Sequence, residues 1–139
     1  MSFIKWQEGF LTGIPEVDAQ HQRLIETLNT LHFLLKHGGS HEEILEILRF
    51  LDNYTVEHFG TEEDLMEKAD GKFPKELRER HLREHRYFID KVQEFHGVFD
   101  AYRNGEQERE AILKLFAFLS HWLCEHILKT DKETASYLR

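Results

Sequence analysis

Apolar residues recur along most of this chain at alternating steps of three and four, the spacing that lines one face of an α-helix. Val17, His21, Leu24, Leu28, Leu31 and Leu35 form the first such stripe. It predicts a helix over 18–37, with Asp18 as its N-cap and Gly38-Gly39 as its end. Ser40 and Glu43 read as a capping box. They open a second helix over 40–69 with the stripe Ile44, Leu48, Leu51, Thr55, His58, Glu62 and Leu65, closed by Asp70-Gly71. Pro74 suits the first turn of a third helix, over 74–102, whose stripe is Leu77, His81, His85, Phe88, Val92, Phe95 and Phe99. Gly97 costs about 1 kcal/mol inside a helix and is a candidate early end. After a turn at Asn104-Gly105, Ile112, Leu115, Leu119, Trp122, Leu123 and His126 mark a fourth helix over 106–129, leaving 132–139 as a short tail.

Four amphipathic helices with short connections make antiparallel neighbours. The expected fold is all-α: an up-down-up-down antiparallel four-helix bundle in a single domain, 1–139. Residues 1–17 show no helical period. Trp6, Phe10, Leu11 and Ile14, punctuated by Gly13 and Pro15, suit an extended N-terminal arm across the bundle.

A length of 139 residues fits one domain with a real core. The net charge of -8, with no Lys/Arg cluster above the acidic background, argues against nucleic acid and against an anionic membrane surface. No uninterrupted apolar run approaches the roughly 18 residues of a membrane span. The start, Met1 to Glu8, lacks a basic segment followed by an apolar one, so a cytoplasmic protein without membrane insertion is expected. Cys124 is the single cysteine, which rules out an intrachain disulfide and reads as a buried small apolar residue.

Ten histidines change this picture because of where they fall. His21, His58, His81, His85 and His126 sit on the apolar stripes, with Glu62 among them. Taken singly, each reads as an ordinary core histidine. Taken together, facing imidazoles and an ionised carboxylate in one core would cost several kcal/mol each unless paired or bound to metal. His58 and Glu62 are four residues apart, as are His81 and His85, so each pair shares a helix face. Asp131 follows His126 by five, which on a regular α-helix separates them by about 140°. Asp131 therefore joins the cluster only if the helix ends there or widens into a π-turn. Seven ligands exceed one four-coordinate zinc. Two six-coordinate metals offer about twelve positions. Five imidazoles, two bridging carboxylates and a bridging oxide or hydroxide leave one position open for a small molecule. His32, His37, His41, His96 and His121 lie off the pattern and are expected at the surface or at helix ends, as is Glu63.

The segments Gly13–His21, His58-Phe59-Gly60-Thr61-Glu62-Glu63, His81-Leu82-Arg83-Glu84-His85 and His126-Ile127-Leu128-Lys129-Thr130-Asp131 resemble the hemerythrin-domain family, specifically its single-domain bacterial members. They span nearly the whole chain, and no ligand of the pattern is missing. The resemblance implies a non-haem di-iron centre that binds O2 reversibly, for transport, storage or delivery. It implies that His81, His85 and His126 ligate one iron, and that His21 and His58 ligate the other, which keeps the open position. Glu62 and Asp131 would bridge the pair of Fe2+/Fe3+ ions together with an oxo or hydroxo group. Phe59, Trp122 and Leu123 match apolar residues of the family's O2 pocket. The stretch from Phe73-Pro74 to His81 is longer than the resemblance leads one to expect, which bears on access rather than on metal binding. An oxygen, redox or iron sensor is the alternative reading. A di-iron oxidase or peroxidase ranks below it, because such sites are usually richer in carboxylates; the chain is therefore expected not to be an enzyme.

Overall fold

The computed structural model describes residues 8–69, 71–103 and 105–138. Trp6 of the expected arm and the turn residues Asp70 and Asn104 lie outside them. A 3-10 turn, Glu8–Phe10, precedes helix α1, Pro15–His37. The second rod runs as α2, His41–Tyr54, then a π-helical segment, Thr55–Phe59, then α3, Gly60–Lys68. The third is α4, Lys75–Ala101. The fourth is α5, Gly105–Trp122, a π-helical segment, Leu123–Asp131, and α6, Lys132–Leu138. Among the described residues there are helices and turns but no strands. α1 packs on α2 and α5, and α4 packs on the same two, so the four rods close a square bundle.

Several boundaries differ from the sequence expectation for local reasons. α1 starts at Pro15 rather than after Asp18, because extended Ile14 delivers the chain to a proline suited to the first turn. Asp18 instead folds back. Its Oδ1 accepts from the Thr12 amide and the Thr12 hydroxyl, both at 2.8 Å, and so ties the arm to α1. Gly38 ends α1 at φ 79°, a conformation costly for other residues, while its amide donates to the Leu34 carbonyl at 2.8 Å. The Ser40/Glu43 capping box forms in full. α4 runs straight through Gly97, so that glycine does not end it. The expected tail at 132–139 is mostly helical: α6 continues the fourth rod to Leu138.

The core follows the stripes, with shifts of one residue. Leu24, Leu28, Leu31, Leu48, Leu51, Phe88, Phe99, Leu115, Leu119 and Ile127 are fully buried. In the second rod Tyr54 and Met66 are buried, whereas Thr55 and Leu65 are only partly so. The π segment is the reason. Its wider turn lets Tyr54, His58, Glu62 and Met66 follow at steps of four on one face. Cys124, expected to be buried, is exposed: Leu123, His126 and Ile127 take the inward positions around it. The fourth rod, Gly105–Leu138, is long and apolar enough by length and composition to cross a membrane. Its apolar residues Ala111, Leu115, Leu119, Trp122, Leu123 and Ile127 are buried in the bundle core.

Candidate metal centre

The up-down-up-down order determines which residues can meet. The start of the first rod, the end of the second, the start of the third and the end of the fourth all lie at one end of the bundle. His21, His58 with Glu62, His81 with His85, and His126 with Asp131 occupy those four places, and all seven are buried. The opposite end holds a different staple, His41 Nδ1 donating to Glu108 Oε2 at 2.6 Å.

Asp131 reaches the cluster because the fourth rod is π-helical from Leu123 to Asp131. A π-turn aligns residues five apart, and His126 Nε2 lies 3.0 Å from Asp131 Oδ1. The two Asp131 oxygens face different histidines. Oδ2 is 2.8 Å from His21 Nε2 and 3.4 Å from His58 Nε2. Oδ1 is 3.1 Å from His81 Nε2 and 3.0 Å from His126 Nε2. Glu62 Oε1 sits 2.9 Å from His58 Nε2 and 3.2 Å from both His81 Nε2 and His85 Nε2. Two overlapping groups, Glu62/His81/His85/His126 and His58/Glu62/His126/Asp131, each bring one donor atom per residue within 4.8 Å of the others. His21 joins them through Asp131.

Four of the five imidazoles are held from behind at Nδ1 by a residue on another rod, so that Nε2 faces the centre. His126 Nδ1 donates to Glu84 Oε1 at 2.7 Å, and His85 Nδ1 donates to Glu63 Oε2 at 2.9 Å. His58 Nδ1 donates to Gln20 Oε1 at 2.6 Å. The Gln20 amide has one consistent orientation, since its Nε2 donates to the Thr61 hydroxyl, which donates onward to the Glu57 carbonyl. His81 Nδ1 lies 2.8 Å from the Thr134 hydroxyl on α6. Such outer partners fix ring orientation and ligand basicity in metal sites.

These partners were largely hidden in the sequence. Glu63, expected at the surface, is about half exposed at 47%, yet it brackets His85 from the side opposite Glu62. Adjacent helical residues lie about 100° apart, which is enough to reach the two nitrogens of one ring. Gln20 and Glu84 sit beside histidines of the cluster in the sequence, and that adjacency was the one signal for them. Thr134 carried no signal. His121 is exposed, as its five-residue offset from His126 implied. His96, expected at the surface, is partly buried and pairs with Asp52 at 3.0 Å.

The three expected pocket residues are buried, and two of them lie flat on imidazoles. Phe59 stacks on His85 at 3.8 Å and Trp122 on His126 at 4.0 Å. Tyr54, which the sequence did not single out, stacks on His58 at 4.9 Å. Leu123 is 4% exposed beside them. This layer excludes water from one side of the cluster.

In the metal-free chain the centre is a tight knot of charge. Burial depresses His58, but the Glu62 carboxylate and the Asp131 hydrogen bond outweigh it and hold the ring at about 9. His81 is held at about 9 by the same balance. Burial opposes protonation of His126 as well, and Asp131 and Glu62 more than offset it. His85 goes the other way: burial and the His81 and His126 charges hold it below its ordinary value against the pull of Glu62. Burial alone would raise Glu62, yet the His58 and His81 charges keep it well below the usual carboxylate range. For Asp131, burial and the Glu62 charge push up, and the His126 imidazolium wins, so the net direction is down.

The donor set fits a pair of cations. His126 Nε2 and Asp131 Oδ1 are buried and 3.0 Å apart, yet neither makes a hydrogen bond. Unsatisfied buried polar atoms are rare and costly, and metal coordination relieves them.

Comparison with known proteins agrees with this geometry. Residues 12–138 match the family described as the hemerythrin HHE cation binding domain. A bacteriohemerythrin of Pseudomonas paraeruginosa is 37% identical over 131 residues, covering 94% of this chain and 78% of the relative. One from Stenotrophomonas maltophilia is 34% identical over 139 residues, covering 100% of this chain and 84% of the relative. One from Clostridium acetobutylicum is 31% identical, covering 92% and 95%.

Proposed function

This chain belongs to the hemerythrin HHE cation-binding family, and from that premise and the geometry of its centre we propose that it binds O2 reversibly at a pair of iron ions. The observation that carries the reading is Asp131, whose two oxygens face two sets of histidines: His21 and His58 on one side, His81 and His126 on the other. A carboxylate so placed could serve two cations at once. His81, His85 and His126 would hold one iron and His21 and His58 the other, with Glu62 as the second bridge and an oxo or hydroxo group between the ions. When bound, the iron pair would supply the electrons that make O2 binding possible.

The residues of the chain do the remaining work. Gln20, Glu63, Glu84 and Thr134 hold the rings from Nδ1, so the centre is shaped before metal arrives. Pre-shaping lowers the ordering cost of binding. Phe59 and Trp122, stacked on His85 and His126, and buried Leu123 would exclude water from that side of the centre, which favours release of bound O2 over its loss in a reduced form.

The test is anaerobic reduction of the iron-loaded protein, addition of O2, and repeated deoxygenation with the visible spectrum recorded throughout. Reversible growth and loss of a charge-transfer band is the expected result, with two irons per chain by metal analysis. One zinc per chain, or irreversible oxidation on the first exposure, refutes the reading.

A further inference from the structure

The donors of the centre are not shared evenly between its two sides. Glu62, His81, His85 and His126 bring one donor atom each within 4.8 Å of one another, so one side holds a four-donor set of its own. Asp131 Oδ1 adds a fifth donor, 3.1 Å from His81 Nε2 and 3.0 Å from His126 Nε2. The other side has two imidazoles. The group formed there, His58/Glu62/His126/Asp131, takes His126 and Glu62 from the first. His21 enters neither group and reaches the centre through Asp131 Oδ2 at 2.8 Å and His58 Nε2 at 3.3 Å.

The support behind the rings divides in the same way. Carboxylates back His85 and His126: Glu63 at 2.9 Å and Glu84 at 2.7 Å. The Thr134 hydroxyl lies behind His81 at 2.8 Å. An anionic acceptor at Nδ1 makes an imidazole a stronger donor to a cation. His58 is backed by a neutral amide, Gln20, at 2.6 Å. His21 Nδ1 is buried and makes no hydrogen bond among the described residues. One outer partner more or less typically changes metal affinity by about 10–100-fold.

We infer that the two sides fill in order: His81, His85, His126 and Glu62 take the first cation, and His21 and His58, with Asp131, form a weaker position that fills second and empties first. The inference rests on the di-iron reading above and adds to it a stable one-metal form of the chain. Fewer imidazoles and weaker support behind them act in the same direction. So does charge, because the second position lies beside a cation already held and shares both carboxylates with it. A separation of about 100-fold between the two steps follows, the upper figure for one outer partner. O2 binding, which needs the pair, then tracks the second step alone, and the His21/His58 side sets how it responds to iron supply.

The experiment titrates the metal-free full chain with Fe2+ alone in the absence of O2, read by native mass spectrometry and by calorimetry. At one Fe2+ per chain, about four chains in five should carry a single metal, the population that a 100-fold separation gives. Gln20→Ala should weaken the second step roughly tenfold and leave the first within about twofold. Gln20→Glu restores an acceptor behind His58 and adds charge, so it should tighten the second step instead; a merely structural role for Gln20 would not produce that reversal. Glu63→Gln, at a half-exposed position, should weaken the first step about threefold. Thermal unfolding of the metal-free variants confirms that each is folded. A mixture dominated by metal-free and two-metal chains at one Fe2+ per chain overturns the order of filling and leaves the di-iron reading standing, as does a first step that falls in Gln20→Ala. A chain that takes up only one metal at saturating Fe2+ overturns the reading of the pair itself.

Discussion

Glu84 offers a direct test of the proposed metal centre. Its carboxylate accepts from His126 Nδ1 at 2.7 Å and from the Thr130 hydroxyl at 3.2 Å. Replacing it with alanine removes no ligand. Thr130 keeps a second acceptor in the Glu125 carbonyl at 3.3 Å, so the loss falls mainly on His126. A hydrogen bond to a charged group contributes about 1.5–3 kcal/mol. The Glu84 side chain is 29% exposed, and water can replace part of its role. The lower end of that range applies, about 1.5–2 kcal/mol, or roughly a ten- to thirtyfold loss of iron affinity at about 1.4 kcal/mol per tenfold. The assay is anaerobic competition between the protein and a coloured ferrous chelator, with thermal unfolding of the metal-free protein as the control for folding. Glu84→Gln should fall between, since an amide oxygen still accepts but carries no charge. Glu46→Ala, an exposed acidic residue of α2, should change nothing. If Glu84→Ala binds iron as tightly as the unsubstituted chain, the outer hydrogen bonds do not tune the centre and the reasoning fails.

Three further outcomes are expected. The metal-free protein should be most stable at about pH 6.5, since His85, held below 6.5, costs stability as pH falls beneath that value. His58 and His81 are raised from 6.5 to about 9 in the folded chain, so their stabilisation is complete below the unfolded value and is lost as pH rises through about 9. Glu62 and Asp131 are held below 4.5 and 3.8, so their stabilisation is present above those values and is lost as pH falls through the lowered ones. Thermal midpoints across pH check this, and a metal-free midpoint that climbs from pH 6 to 9 contradicts it. Thr134→Val removes the hydroxyl behind His81 at nearly constant shape and should weaken iron binding several-fold, for about 0.5–1.5 kcal/mol; equal affinity in the chelator assay would show that α6 plays no part in the centre. Leu28→Ala, at a fully buried position, should cost about 2.7–5 kcal/mol, read from denaturant unfolding. A cost below 1 kcal/mol would mean that the core closes over the cavity.

The sequence by itself determined the four rods and most of what faces inward. Helical period is a local property, and Leu24, Leu28, Leu48, Phe88, Leu115 and Leu119 announce it within a few turns of chain. The same period placed His21, His58, Glu62, His81, His85 and His126 among them, and short connections then brought their four helix ends to one pole. Tertiary structure decided what depends on how rods are rotated against one another. The hydrogen bond from His126 to Glu84 joins residues 42 apart, and that from His81 to Thr134 joins residues 53 apart. No local pattern encodes such a pairing, because it follows from the summed packing of whole faces. The π segments are of the same kind. The sequence showed that Asp131 was out of phase with His126, but only packing around the fourth rod settled that the helix widens there instead of ending. That widening carries the rod on into α6, and it turns an acidic residue five places beyond a histidine into a carboxylate with one oxygen toward each side of the centre.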